Sequence, residues 1–161
     1  MDENKAHYVV VTGILIKDGK YLITKRASHE KAFPNRWTVP GGKLEVEDYS
    51  KREKDTGHHW YNVFEDLLRR EVMEETNLKI KNIKYLTSMT FIRPDNIPVA
   101  VGSFYADYVG GEVKLCPDMT KHAWVTLEEA KGYDLIEGIY EELEMLDRLL
   151  KGKEVGEWKK N

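Results

Sequence analysis

The sequence predicts an α/β domain in which helices cover both faces of a mixed sheet, and three observations carry that prediction. Runs rich in β-branched and aromatic residues outnumber helical ones, a strongly periodic helix sits mid-chain with strands on either side, and a second helical period closes the chain. At 161 residues the chain suits one domain with a real core and is short for two. Its 41% hydrophobic and 33% charged residues are those of an ordinary soluble globule.

HYVVVTGILIKDGKYLITKR, residues 7–26, is two β-rich runs around Asp18-Gly19, a strong signal for a tight hairpin turn. RWTVPGGKLEV, 36–46, is a short extended stretch broken at Pro40-Gly41-Gly42, and a charged segment follows from Glu47 to Gly57. Asn62 and Glu65 fit a capping box, so a helix is expected to start at Asn62; Asn77, which tolerates the left-handed conformation, is its expected stop. KIKNIKYLTSMTFI (79–92) and VAVGSFYADYV (99–109) read as a strand pair joined by RPDNIP. HAWVTL (122–127) suggests a last short strand, with Thr126 capping a turn at LEEA, and Ile136 to Leu150 has a helical apolar period. The tail from Lys151 is polar enough to be expected to fray.

The central helix poses a question. At about 100° per residue, Phe64, Leu67, Leu68 and Leu78 lie within about 60° of Glu71, and Glu74 and Glu75 lie on that same side, while Glu65, Asp66, Arg69 and Thr76 lie opposite. Carboxylates gathered on a partly buried face repel one another and lose hydration, so a cation is expected among them. Oxygen ligands at i, i+3 and i+4 suit a hard ion such as Mg²⁺ or Mn²⁺, which often carries a substrate phosphate.

The net charge of −3 offers no general attraction for nucleic acid or anionic membrane, so a phosphate substrate must be held by local bases and metal. Cys116 is the only cysteine, which excludes an internal disulfide and a C-x-x-C zinc site. The first 20 residues resemble neither a signal peptide nor a membrane span, and a cytoplasmic protein is expected. The sequence leaves the oligomeric state open, a homodimer included.

PGGKLE followed by RREVMEETNL resembles the signature of the Nudix hydrolases, G-x5-E-x7-R-E-U-x-E-E-x-G-U with U a bulky apolar residue. Gly42 matches the first glycine, and Arg70, Glu71, Val72, Glu74, Glu75 and Leu78 match the second half. The resemblance implies that family's α/β/α sandwich. It also implies Mg²⁺-dependent cleavage of a nucleoside diphosphate linked to another group, with Gly42, Glu71, Glu74 and Glu75 as metal ligands and Glu71, Glu75 and Arg70 as the catalytic set. Arg26, Arg36 and Arg93 are candidate phosphate clamps.

Two departures stand out. Asn77 replaces the motif's last glycine at a helix end, where Asn is the usual second choice. Asp48 fills the first acid's slot, which would put the arginine at 56, yet it stands at 70, so about 14 extra residues are expected within 49–61, enlarging the loop before the helix. Asp48, Glu47 or Glu45 could then pair with Arg70, as could Glu74 along the helix. In that loop His58 and His59 read as solvated, and Trp60 and Tyr61 as packing or a stacking surface. Some Nudix hydrolases place a metal-binding glutamate just before the tryptophan of the late strand; Ala123 stands there, leaving Asp118, Glu128 or water to replace it. Pro94, 16 residues beyond Leu78, is similar to a proline spacing of ADP-ribose-cleaving members. ADP-ribose or a nucleotide sugar is therefore expected first and a (d)NTP second. The alternatives are a catalytically silent nucleotide sensor of the same fold, and a diphosphate isomerase, for which Cys116 lies too late in the chain.

Overall fold

A computed structural model describes residues 1–160. Seven strands run β1 (Tyr8–Lys17), β2 (Lys20–Arg26), β3 (Trp37–Thr38), β4 (Gly41–Lys43), β5 (Lys79–Ile92), β6 (Pro98–Gly110) and β7 (Met119–Val125). The helices are α1 (Glu47–Ser50), α2 (Val63–Thr76), α3 (Leu127–Ala130) and α4 (Ile139–Leu150). The sheet follows the order β3-β2-β1-β6-β5, with β4 also paired to β1 and β7 to β2. It is mixed, because β1 and β6 run parallel while the other pairs are antiparallel.

Residue alternation along β1 assigns each face its helix. Val11 and Leu15 join Leu67, Leu68 and Val72 of α2 in one apolar cluster, whereas Ile14 joins Ile139, Leu143 and Leu146 of α4 in another. This is the expected arrangement of a mixed sheet between helices. The Asp18-Gly19 turn forms as expected, with φ of 51° and 73° that fit a primed hairpin turn. Thr126 makes a full capping box with Glu129 at the start of α3.

Two strands share one edge of β1. Ile16 and Lys17 pair with β2, whereas Val10, Val11 and Thr12 pair with Lys43, Gly42 and Gly41 of β4. The Gly-Gly segment is thereby fixed to the centre of the sheet, directly beneath α2.

Several expectations need correction. Asn62 does precede α2, but its φ is 56° and its side chain makes no capping bond. The helix start is held instead by Arg52, which bonds the Tyr61 carbonyl and lies 3.9 Å from Asp66. Asn77 ends α2 in the left-handed conformation, as expected. Thr76, placed by the wheel on the solvated side, is fully buried and donates to the Val72 carbonyl at 2.6 Å. Glu74, placed on the buried side, is exposed, and so is Phe64. The buried face is centred near Leu68 and Glu75, about 50° from Glu71. The exposed Phe64 and the post-helical Leu78 mark the wrong direction, whereas buried Val72 and Thr76 pull the real face about 50° the other way.

The helical period read from Ile136 begins only at Ile139, since Gly138 is left-handed. The polar, mostly exposed tail makes contacts of its own. Arg148 bonds the Glu154 carbonyl at 3.1 Å and Trp158 donates to the Gly138 carbonyl at 3.4 Å, so the chain folds back along α4. Among the described residues no helix is long and apolar enough to cross a membrane.

Candidate active site

The site is built where α2 crosses β4. Glu71 lies so close over Gly42 that a methyl group at that position would overlap its carboxylate, which is why glycine is needed there. One turn on, Glu75 accepts a bond from the Gly41 amide while its Oε2 is buried with no partner. Burial, reinforced by the neighbouring Glu71 charge, pushes the Glu75 carboxyl from 4.5 up to about 8. Burial likewise raises Glu71, with Arg70 opposing the shift and Glu74 and Asp48 adding to it.

Arg70 draws the acids together. Its guanidinium lies 2.8 Å from Asp48, 3.0 Å from Glu71 and 3.0 Å from Glu74. Of the three loop acids left open by the sequence, Asp48 makes the pair, and the Arg70–Glu74 contact along the helix forms as well. Asp48 also accepts from the Glu45 amide at 2.7 Å, so one carboxylate ties the segment after β4 to α2.

Residues 51–61, inside the stretch where extra length is expected, leave α2 unbroken. They form a loop closed by its own contacts: Arg52 meets Asp55 at 2.9 Å, the Tyr61 amide donates to Asp55 at 2.8 Å, and Trp60 packs 5.2 Å from Tyr49. Trp60 is thus a packing residue, while Tyr61 remains exposed. His59 bonds Thr56 at 3.0 Å, and both histidines of the pair are exposed.

The candidate clamps separate. Arg26 is bound by Glu30 at 2.9 Å and the Ala32 carbonyl at 2.8 Å, yet its charge still reaches Glu75 and favours the ionised carboxylate. Arg36 is engaged 3.0 Å from Asp134 and by the Leu135 carbonyl, tying β3 to the segment before α4. Arg93 pairs with Asp95 at 2.7 Å and lies over the Tyr8 ring. Only Arg26 of the three acts on Glu75.

Two residues complete the surroundings. Asp118, a candidate for the absent late-strand acid, meets His29 at 2.9 Å, and its charge adds to those raising Glu75. His29 had no signal of its own in the sequence, since 89 residues separate it from Asp118. Ala123 pairs with Ile23 in β7, beside Trp124.

An orphaned, buried Glu75 oxygen beside a second raised carboxyl is the arrangement a hard cation would satisfy, so the residues present fit a divalent ion. The fold and this constellation of glutamates over a Gly-Gly strand define an α/β/α domain with an acidic, cation-compatible site between helix and sheet. The NUDIX domain family model matches residues 7–148, and the chain belongs to the Nudix family.

The chain is 30% identical over 110 residues to the NAD-capped RNA hydrolase NudC of Pectobacterium atrosepticum. That match covers 68% of the chain but 35% of NudC, so the chain spans about a third of those relatives. It is 26% identical over 137 residues to the nucleoside triphosphatase NudI of Escherichia coli K12, covering 78% of the chain and 86% of NudI. In fold it resembles the MutT protein of Methanosarcina mazei Go1 (TM-score 0.67, 23% identity, 91% and 97% of the two chains). It also resembles the NUDIX domain of Shewanella oneidensis NrtR solved with ADP-ribose (TM-score 0.64, 18% identity, 92% and 89%).

Proposed function

We propose that the protein is a divalent-metal-dependent pyrophosphohydrolase that splits the diphosphate of a nucleoside diphosphate-linked substrate. The observation that carries this reading is the buried, unpartnered Oε2 of Glu75 beside Glu71 and Gly42. Mg²⁺ is the expected ion and Mn²⁺ the alternative, held by Glu71, Glu75 and the Gly42 carbonyl, with Glu74 assisting from the rim. Such an ion supplies neutralisation of the diphosphate and a lowered pKa for the attacking water.

The chain's own residues supply the rest. The Gly41 amide fixes the Glu75 carboxylate, leaving its other oxygen free for the ion. Arg70 holds Glu71 against Gly42 and keeps it more acidic than burial alone would. Glu71 and Glu75, which lie together over the Gly41-Gly42 strand, are the candidates to accept the proton of the attacking water. Arg26 is the best-placed clamp for the phosphates.

ADP-ribose or a nucleotide sugar is the favoured substrate and a (d)NTP the second. The relatives support the breadth of this class: NudI is a nucleoside triphosphatase, NudC is named for NAD-capped RNA, and the NrtR domain holds ADP-ribose. The complete glutamate set favours an enzyme over a silent sensor.

The test is a panel of ADP-ribose, nucleotide sugars, dNTPs and NAD-capped RNA incubated with Mg²⁺ and scored for phosphate-containing products. Turnover of ADP-ribose or a nucleotide sugar above the dNTPs supports the reading, and turnover of none of them overturns it in favour of the sensor.

A further inference from the structure

α4 buries a carboxylate. Ile139, Leu143, Met145 and Leu146 form its buried apolar side, and Glu142 lies among them at 7% exposure. Among the described residues no other Asp, Glu, Lys, Arg or His is buried so deeply. Taking a carboxylate out of water is costly, and a leucine here would simply continue the apolar face, so stability alone does not account for the glutamate.

Its contacts lead through the sheet. The buried Ser103 hydroxyl of β6 donates to the Glu142 carboxylate, and the same oxygen accepts from Thr12 Oγ1 at 3.3 Å. Thr12 of β1 pairs with Ser103 on one side and with Gly41 of β4 on the other. It is packed against that glycine: its Cα and Cγ2 would each lie 2.9 Å from a methyl group placed on Gly41. Gly41 in turn gives its amide to Glu75. A line of contacts therefore runs from Glu142 through Ser103, Thr12 and Gly41 to Glu75, from the helix on one face of the sheet to the helix on the other.

We propose that Glu142 is a positioning residue for the metal site: by holding Ser103, and through it Thr12, it keeps the Gly41 amide aimed at Glu75. This rests on the reading of Glu75 as a ligand of the divalent ion. The Gly-Gly segment has no side chains to anchor it, so its backbone is held only by what packs on it. A threonine side chain takes staggered settings, and the bond from Oγ1 to Ser103 selects the one that lays Cγ2 on Gly41. Release of Ser103 would free Thr12 to turn and would loosen the strand. The amide would then drift from the Glu75 carboxylate, and a small misplacement of a ligand is enough to weaken an ion site.

Glu142→Leu in the full chain tests this with two probes. Without metal, hydrogen exchange of the Gly41 amide followed by NMR should quicken at least ~10-fold relative to the amides of β7, which lie outside the line. Mn²⁺ affinity should fall at least ~10-fold, the usual cost of losing the support behind a metal ligand. The melting temperature should match or exceed the parent's, since an apolar side chain replaces a buried carboxylate. Glu142→Gln keeps an acceptor oxygen for Ser103 and should return both probes to near the parent's values. Adding Ser103→Ala to Glu142→Leu should change neither further, because the line is already cut. If Glu142→Leu does not fold, Thr12→Val, which removes only the hydroxyl, is held to the same two expectations. A parent that binds no Mn²⁺ overturns the metal reading and the proposal with it. A parent that binds the ion, with Gly41 exchange and Mn²⁺ affinity unchanged in the variant, overturns the proposal alone, and so does a loss that Glu142→Gln shares in full.

Discussion

Glu71 lies directly over Gly42, with no room between them for even a methyl group. A helix residue and a strand residue 29 positions apart are therefore one unit: the Glu71 carboxylate fills the space that a side chain at Gly42 would take. Gly42→Ala should force Glu71 aside, lowering kcat by at least ~10²-fold, comparable to removing one preorganised electrostatic group. The overpacking should cost about 1–3 kcal/mol of stability. Kinetics and urea unfolding check both; an alanine variant with parental turnover would show that this contact does not shape the site.

The raised Glu75 carboxyl makes a prediction about pH. The folded protein keeps a proton on Glu75 up to about 8, whereas an ordinary carboxyl releases it near 4.5. The stability from that difference is fully present below about 4.5 and is lost as pH rises through about 8. Metal-free Glu75→Gln has no proton to lose, so it should melt at a higher temperature than the parent at pH 8, with the gap closing toward pH 4.5. Thermal melts across that window, without metal, provide the check; parallel curves for the two proteins would contradict it.

Arg26 and Arg36 should separate kinetically. Arg26→Ala removes the one arginine of the three whose charge reaches Glu75, so KM for a diphosphate substrate should rise at least ~10-fold, as expected for loss of a charge-assisted contact. Arg36→Ala should leave KM near the parent's and lower stability by about 1 kcal/mol, since it releases Asp134 and the Leu135 carbonyl. Equal effects on KM would remove this distinction.

Asp48 carries the link between the segment after β4 and α2. Asp48→Asn keeps the shape and the bond to the Glu45 amide but loses the charge facing Arg70. Stability should fall by about 1–2 kcal/mol, with kcat reduced more than metal affinity. A variant that instead loses all metal binding would place Asp48 among the ligands.

Much of this was readable in the sequence, for local reasons. Asp18-Gly19 and Asn77 dictate their own backbone, so the first hairpin and the end of α2 fell where expected. The spacing of Glu71 and Glu75 brought both acids to the sheet whatever the exact phase of the helix. What failed depended on tertiary context. Phe64, which tertiary packing leaves exposed, pointed the estimated face toward Glu74, whereas buried Val72 and Thr76 turn the real one away from it. Asn62 lost its capping role because Arg52 already holds the helix start. The partner of Arg70 could not be chosen among three acids in one loop, and the pairing of His29 with Asp118 leaves no periodic trace.

The central claim is that Glu71 and Glu75 over Gly42 hold the divalent ion. The most direct measurement is a Mn²⁺ titration followed by electron paramagnetic resonance, comparing the parent with Glu75→Gln and Glu71→Gln at pH 8 without substrate. The parent should remove free Mn²⁺ from solution, with affinity falling at least ~10-fold in each variant, as expected when a charged ligand is lost. Binding in either variant equal to the parent's would show that the ion is held elsewhere and would contradict the account.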